Sequence, residues 1–218
     1  MAIRIIYPDD GDRERRSAFT NRLIPESPYR SAGVPIPECR KIAKGLGSDD
    51  IELVYIEDVI IKGIVIFSSH EPFEKKKERI ESFLPLLVSW MVTDIVSSSL
   101  WYGRDEKKEA EAYFTSLLDR QDEMTRRLGI VALMDRDFMR PDSVCGMLEK
   151  LAGMHTDHYL LSMAIAWYYA EAYTRFSELA YPYFGHLDLP IRKMARQKCR
   201  DSRRIGAADK ARLDIFFR

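Results

Sequence analysis

An aspartate and two tryptophans share one stripe of the stretch Phe83–Trp101, FLPLLVSWMVTDIVSSSLW. Read as a single buried helix entered through Pro85, it places Trp90, Asp94, Ser97 and Trp101 at i, i+4, i+7 and i+11, which is one helical face. Val88, Met91, Val92 and Ile95 form the neighbouring core stripe. A carboxylate on an otherwise apolar helix must be paired, hydrogen-bonded or kept for chemistry. Asp94 therefore reads either as an acid that caps or pairs with an adjacent helix, or as a reactive carboxylate flanked by indoles. Trp167, in MAIAWYYAEAY, is a further candidate, although a lone tryptophan is equally a core residue. Small Ala164 and Ala166 would let a neighbouring helix approach it closely.

Charge supplies the second set of candidates. Arg126 and Arg127 open the apolar run LGIVALMD. A basic pair in a first turn opposes the helix macrodipole, so it calls for a compensating anion, whether an acidic protein partner or a phosphate. Toward the C-terminus, Arg192, Arg196 and Arg203 lie close to one helical face, with Lys193 and Arg200 beside it. That pattern fits a solvated charged face or a stripe along phosphates. His155 and His158 make an HxxH, but no cysteine or acid completes a metal-binding spacing, so no metal is expected. Phosphate-cradling glycine loops, GxSxG and CxxC are all absent from the sequence.

The elements that must position these residues read as helices. The 218 residues carry 46% hydrophobic residues, and 34 acids balance 34 lysines and arginines. This is enough chain for a sizeable core, without the overall positive coat of many nucleic-acid binders. Three separated cysteines suit a reduced compartment. The opening MAIRIIYPDDGDRERR turns charged too soon for a secretory leader, and the apolar run Val59–Phe67 is interrupted by Lys62 and too short for a bilayer. The expectation is a cytoplasmic, membrane-free chain.

In order, residues 1–11 read as extended, stopped by Pro8, Asp9, Asp10 and Gly11. Helices are expected at 12–23, 37–44, 51–67 (capped by Ser48 or Asp49), 73–84, 83–101, 105–118, 122–134, 141–152 and from Asp157 through the aromatic run to 173. Short helices follow at 176–184, 190–201 and 207–217. Like points in the later helices recur roughly every 35–40 residues, the period of two-helix repeats. The reading is all-α, a single domain over 1–218 built as an α-α solenoid.

Four stretches in this order and spacing carry a resemblance: GVPIPECRKIAK (33–44), FLPLLVSWMVTDIVSSSL (83–100), TRRLGIVALMD (125–135) and HYLLSMAIAWYYAEAY (158–173). With the tail LDLPIRKMARQKCRDSRRI, the chain resembles the AlkD-like DNA alkylation repair family, alkylpurine DNA glycosylases of HEAT-like repeats. The resemblance implies a superhelix whose concave face holds double-stranded DNA. It also implies excision of positively charged N3- and N7-alkylated purines; glycosidic hydrolysis needs only water and charge, so no cofactor is expected, and a solenoid with good end caps suits a monomer. Trp90 and Asp94 match the family's tryptophan and its catalytic aspartate four residues later, and Trp167 matches its second tryptophan. Arg127 matches an arginine that holds a backbone phosphate. Together with the charge pattern above, this makes Arg126, Arg192, Lys193, Arg196 and Arg203 the further expected DNA contacts. Ala170 stands where active members tend to place a basic residue, one turn beyond the second tryptophan. From a different class, the same groove would suit a non-catalytic HEAT-like scaffold for DNA or a protein.

Overall fold

A computed structural model describes residues 2–8 and 10–217, the last by its backbone alone. Met1 and Asp9, part of the expected N-terminal segment and its stop, lie outside the described residues. Among the described residues there are twelve α-helices and no strand, only isolated bridges at Ile3–Ile51 and Arg30–Tyr55. The chain divides into two compact units, residues 1–110 and 111–218.

The first unit is built on α3 (Ile56–Phe67), which packs against α2 (Ile36–Gly45), α4 (Phe73–Phe83) and α5 (Trp90–Ser97). Ile56, Val59, Ile60, Ile61, Ile64, Ile66 and Phe67 are all buried, each worth about 1.5–3 kcal/mol of transfer free energy. The β-branched run Val59–Ile61 is thus helical, because burial and packing override a modest strand preference. Gly63 is the point of closest approach. A Cβ there would lie 2.4 Å from Val96 Cγ1 on α5 and 2.7 Å from Phe83 Cζ on α4.

α3 begins at Ile56 rather than 51, and Ser48 and Asp49 do not cap it. Asp58 turns back to accept from the amides of Tyr55 at 2.7 Å and Val54 at 2.9 Å. Residues 51–55 stay extended, where Ile51 and Tyr55 make the two bridges. Asp49 instead forms an ion pair with Arg79 at 3.1 Å.

The stretch 83–101 is not one helix. Pro85 sits in a 3₁₀ turn, Leu84–Leu86, after which the chain extends before Ser89 caps α5 by accepting from Val92 N. At the other end Ser98 and Ser99 turn their hydroxyls back to Ile95 O, at 2.8 and 3.0 Å. Serines that offer the backbone such local bonds end helices readily. Trp101 then leaves the helix altogether, its amide donating to Phe67 O at 2.9 Å.

In α1 (Arg13–Leu23) no residue is buried. The helix is held to the first unit by polar groups. Arg13 donates to Ala32 O and Tyr7 O, Arg16 to Gly33 O, and Ser17 to Ser31 O, at 2.6–3.1 Å. The segment they meet, residues 31–34, wraps the buried carboxylate of Glu57. That carboxylate accepts from Ser31 Oγ at 2.6 Å and from the amides of Ala32, Gly33 and Val34 at 2.7, 3.0 and 3.2 Å. Gly33 adopts φ +75°, and a Cβ there would lie 2.1 Å from Arg13 O, so only glycine brings the loop this close.

The second unit contains α7 (Glu123–Ala132), α8 (Val144–Ala152), α9 (Tyr159–Arg175), α10 (Ser177–Ala180), α11 (Leu189–Asp201) and α12 (Ala207–Leu213). α6 (Lys107–Ser116) runs across the division. α9 is the axis of the second unit, packed against α7, α8, α10 and α11. Its core face carries Leu161, Ala164, Ile165, Tyr168, Tyr169, Ala172 and Tyr173, all buried. The alanines admit neighbours closely, while the phenols of Tyr169 and Tyr173 donate to Leu148 O and Asp209 O, the kind of partner a buried tyrosine usually finds. Asp122 caps α7, accepting from Thr125 N at 2.7 Å. The cap of α9 is His158, whose Nδ1 faces Leu161 N at 3.4 Å, and not Asp157. α8 starts at Val144, three residues beyond Pro141.

Candidate functional site

α5 sets the geometry of the first candidate pair. Val92, Thr93, Val96 and Ser97 point into the protein, which turns Trp90 and Asp94 onto a half-buried face. The expected core stripe of Val88, Met91, Val92 and Ile95 is therefore rotated; only Val92 of the four is buried. Trp90 opens the helix, and its indole N–H donates to Leu23 O, the last residue of α1, at 3.1 Å. Asp94 follows one turn later, and its backbone carbonyl accepts from Ser97 Oγ at 3.1 Å and Ser98 N at 3.3 Å.

Arg40 on α2 secures the far end of this short helix. Its two terminal nitrogens donate to Ser99 Oγ at 2.6 Å and Ser98 Oγ at 2.8 Å. A cation at a helix C-terminus also complements the macrodipole. Arg40 was legible only as part of a helical run, because its serine partners are 58 and 59 residues away.

Trp101 does not join Trp90 and Asp94. Its ring stacks on His70 with centroids 4.3 Å apart and planes at 17°. Lys76 Nζ lies 5.0 Å from the ring centroid and donates to Trp101 O. Lys76 is fully buried, and burial pushes its ammonium down to about 8.

In the second unit, Trp167 is half-buried midway along α9. Lys198 of α11 places its Nζ 5.5 Å from the indole centroid. A cavity of about 210 Å³ opens beside them, lined by Trp167, Ala170, Glu171, Thr174, Lys198, Asp201 and Ser202. The positive charge near this tryptophan thus comes from the neighbouring helix, across the space that Ala170 leaves. Lys198 was visible in the sequence as one more residue of a basic run; which member of that run meets Trp167 is fixed by how α11 packs on α9.

The expected DNA contacts divide into two groups. Arg127 is buried, 5% exposed, and donates to Leu160 O at 2.5 Å, tying α7 to the start of α9. Arg192 donates to Gly185 O at 2.8 Å and to Leu187 O at 2.7 Å. Arg196 forms an ion pair with Asp214 at 2.7 Å. Arg126 is half-buried, its Nε enclosed without a hydrogen-bond partner. Lys193 and Arg203 are exposed.

His155 lies 2.9 Å from Asp188, and His158 is occupied as a helix cap. Among the described residues, no group of three His, Cys, Asp or Glu side chains could hold a metal, and no helix is long and apolar enough to cross a membrane. Comparison of the chain with protein-family models, with curated proteins and with solved structures returns no match.

Proposed function

We propose that this chain is a DNA glycosylase that hydrolyses the N-glycosidic bond of positively charged N3- and N7-alkylated purines in duplex DNA. The observation that carries the reading is the face of α5. It presents Trp90 and Asp94 one turn apart, with the indole oriented by Leu23 O. The proposal includes an α-α superhelix of HEAT-like repeats with a concave DNA face, supported by the all-helical fold and the resemblance of the four sequence stretches.

A cationic alkylpurine is already a good leaving group, so the protein's task is to stabilise the developing oxocarbenium sugar and orient a water. Asp94 would do both, as electrostatic partner and general base. The π-faces of Trp90 and Trp167 would line the positive sugar, each contact worth roughly 0.5–2 kcal/mol. Of the expected C-terminal contacts, Lys193 and Arg203 are exposed and would meet phosphates.

A second reading, a non-catalytic scaffold for DNA or a protein, draws on the arginines. Arg127, Arg192 and Arg196 all bond within the protein, and the formal charge is zero. Release of free base from duplexes carrying N7-methylguanine or N3-methyladenine, corrected for spontaneous depurination, separates the two. Release by the wild type and none by Asp94→Asn of equal stability supports the glycosylase. Background release with salt-sensitive duplex binding supports the scaffold.

A further inference from the structure

α1 is inverted relative to an ordinary surface helix. Its polar side chains Arg13, Arg16, Ser17 and Asn21 face the protein and are hydrogen-bonded there. Its aromatic residue faces out, with Phe19 55% exposed. Arg15 and Arg22 flank Phe19 at i−4 and i+3, so the three form one stripe. Arg22 stands 5.9 Å from the Phe19 ring centroid. Arg15 has a side chain 80% exposed, its contact a loose pair with Asp12 at 3.4 Å. Arg15, Arg16, Phe19 and Arg22 together border an open hollow of about 400 Å³. The far end of α1 is Leu23, whose carbonyl holds the Trp90 indole. The stripe therefore ends one residue before the contact that α1 makes with Trp90.

We propose that the outer face of α1 is a sequence-independent nucleic-acid contact, with Arg15 and Arg22 on phosphates and Phe19 between them against the groove wall. The proposal rests on the duplex-binding part of the reading above and adds a surface to it. Charge and geometry favour this occupant. Seven residues of helix separate the arginines by roughly 10 Å along the axis, comparable with the roughly 12 Å width of a major groove. An aromatic flanked by guanidiniums also combines the two sequence-tolerant terms of nucleic-acid binding, ring contact and phosphate neutralisation.

The test is fluorescence anisotropy of a labelled undamaged duplex over a salt series, for wild type, Arg15→Gln/Arg22→Gln and Phe19→Ala. No residue of α1 is buried, so the variants fold, which an unchanged melting temperature verifies. The double variant should bind roughly tenfold more weakly, with its slope of log K against log salt shallower by about 1.8, at about 0.9 per phosphate contact. Phe19→Ala should bind several-fold more weakly with the slope unchanged.

Wild-type affinity and slope in both variants would overturn the α1 surface while leaving the duplex reading in place. Duplex binding by wild type without base release, weakened in the α1 variants, would support the surface and remove the reaction. Failure of the wild type to bind duplex would overturn both. Preferential binding of polyglutamate, lost in the double variant, would overturn the nucleic-acid proposal in favour of an acidic protein partner.

Discussion

Replacing Glu57 by glutamine keeps the shape of the buried side chain and removes its charge, which isolates one job of the first unit. The carboxylate accepts four hydrogen bonds from residues 31–34, three of them from backbone amides. Oε1 takes Ser31, Gly33 and Val34, so the glutamine carbonyl would settle there. Its NH₂ would then face Ala32 N–H, which now donates to Oε2 at 2.7 Å. One charge-assisted bond is lost, at about 1.5–3 kcal/mol, and one buried amide is left without an acceptor, at about 1–3 kcal/mol. Allowing for relaxation, the net loss is about 3 kcal/mol, a large share of a typical 5–15 kcal/mol stability. In a chain of this size it corresponds to about 10 °C in melting temperature.

Urea denaturation followed by circular dichroism measures it, with an unchanged m-value confirming that the native fold is retained. The damage should reach α1, since Ala32 O, Gly33 O and Ser31 O are its anchors. Amide exchange in α1 should therefore accelerate more than in α3. A stability loss below about 1 kcal/mol would refute the reasoning, for it would mean that Ala32 N–H loses nothing when its charged acceptor goes.

Two further outcomes follow from buried cations. Burial lowers Lys76 to about 8, against roughly 10.4 for an unperturbed lysine. Between these values the unfolded chain binds a proton that the native one has released, so Lys76 makes stability rise with pH from about 8 to 10. Lys76→Met should remove that part of the slope in denaturation curves taken across the window. Arg127→Met should cost about 2 kcal/mol by leaving Leu160 O without its charged donor. If Arg127 serves only to tie α7 to α9, the salt slope of duplex binding stays at the wild-type value; a shallower slope would mark a phosphate contact.

Helix content was legible because most helices carry their own punctuation. Asp122 caps α7, the glycine that follows Lys44 ends α2, and the apolar density of 59–67 marks a buried segment. These misread boundaries share a cause: a side chain that bonds to nearby backbone. Asp58 delays the start of α3, His158 caps α9 one residue beyond the start expected at Asp157, and three consecutive serines end α5 before Trp101. Periodicity sees apolar spacing but not these local bonds, so it ran 83–101 together and added Trp101 to the stripe. Trp90 and Asp94 were found because four residues separate them on one helix. Lys198 beside Trp167 and Arg40 on Ser98 and Ser99 depend on packing between distant segments, which spacing does not encode. α1 was placed correctly, yet its inverted face was hidden, because its outward aromatic is meaningful only once its inward side is known to be polar.

That inversion has a consequence for motion. A helix fastened by apolar burial opens only with its core, whereas α1 is fastened by hydrogen bonds from Arg13, Arg16 and Ser17 to the carbonyls of Tyr7, Ser31, Ala32 and Gly33. Its opening is a local event, with a free energy well below that of global unfolding, and it exposes little apolar surface. The first turns of α1 can therefore open while α3 and its neighbours stay packed, whereas Ile24, buried directly after Leu23, keeps the Leu23 carbonyl at the Trp90 indole.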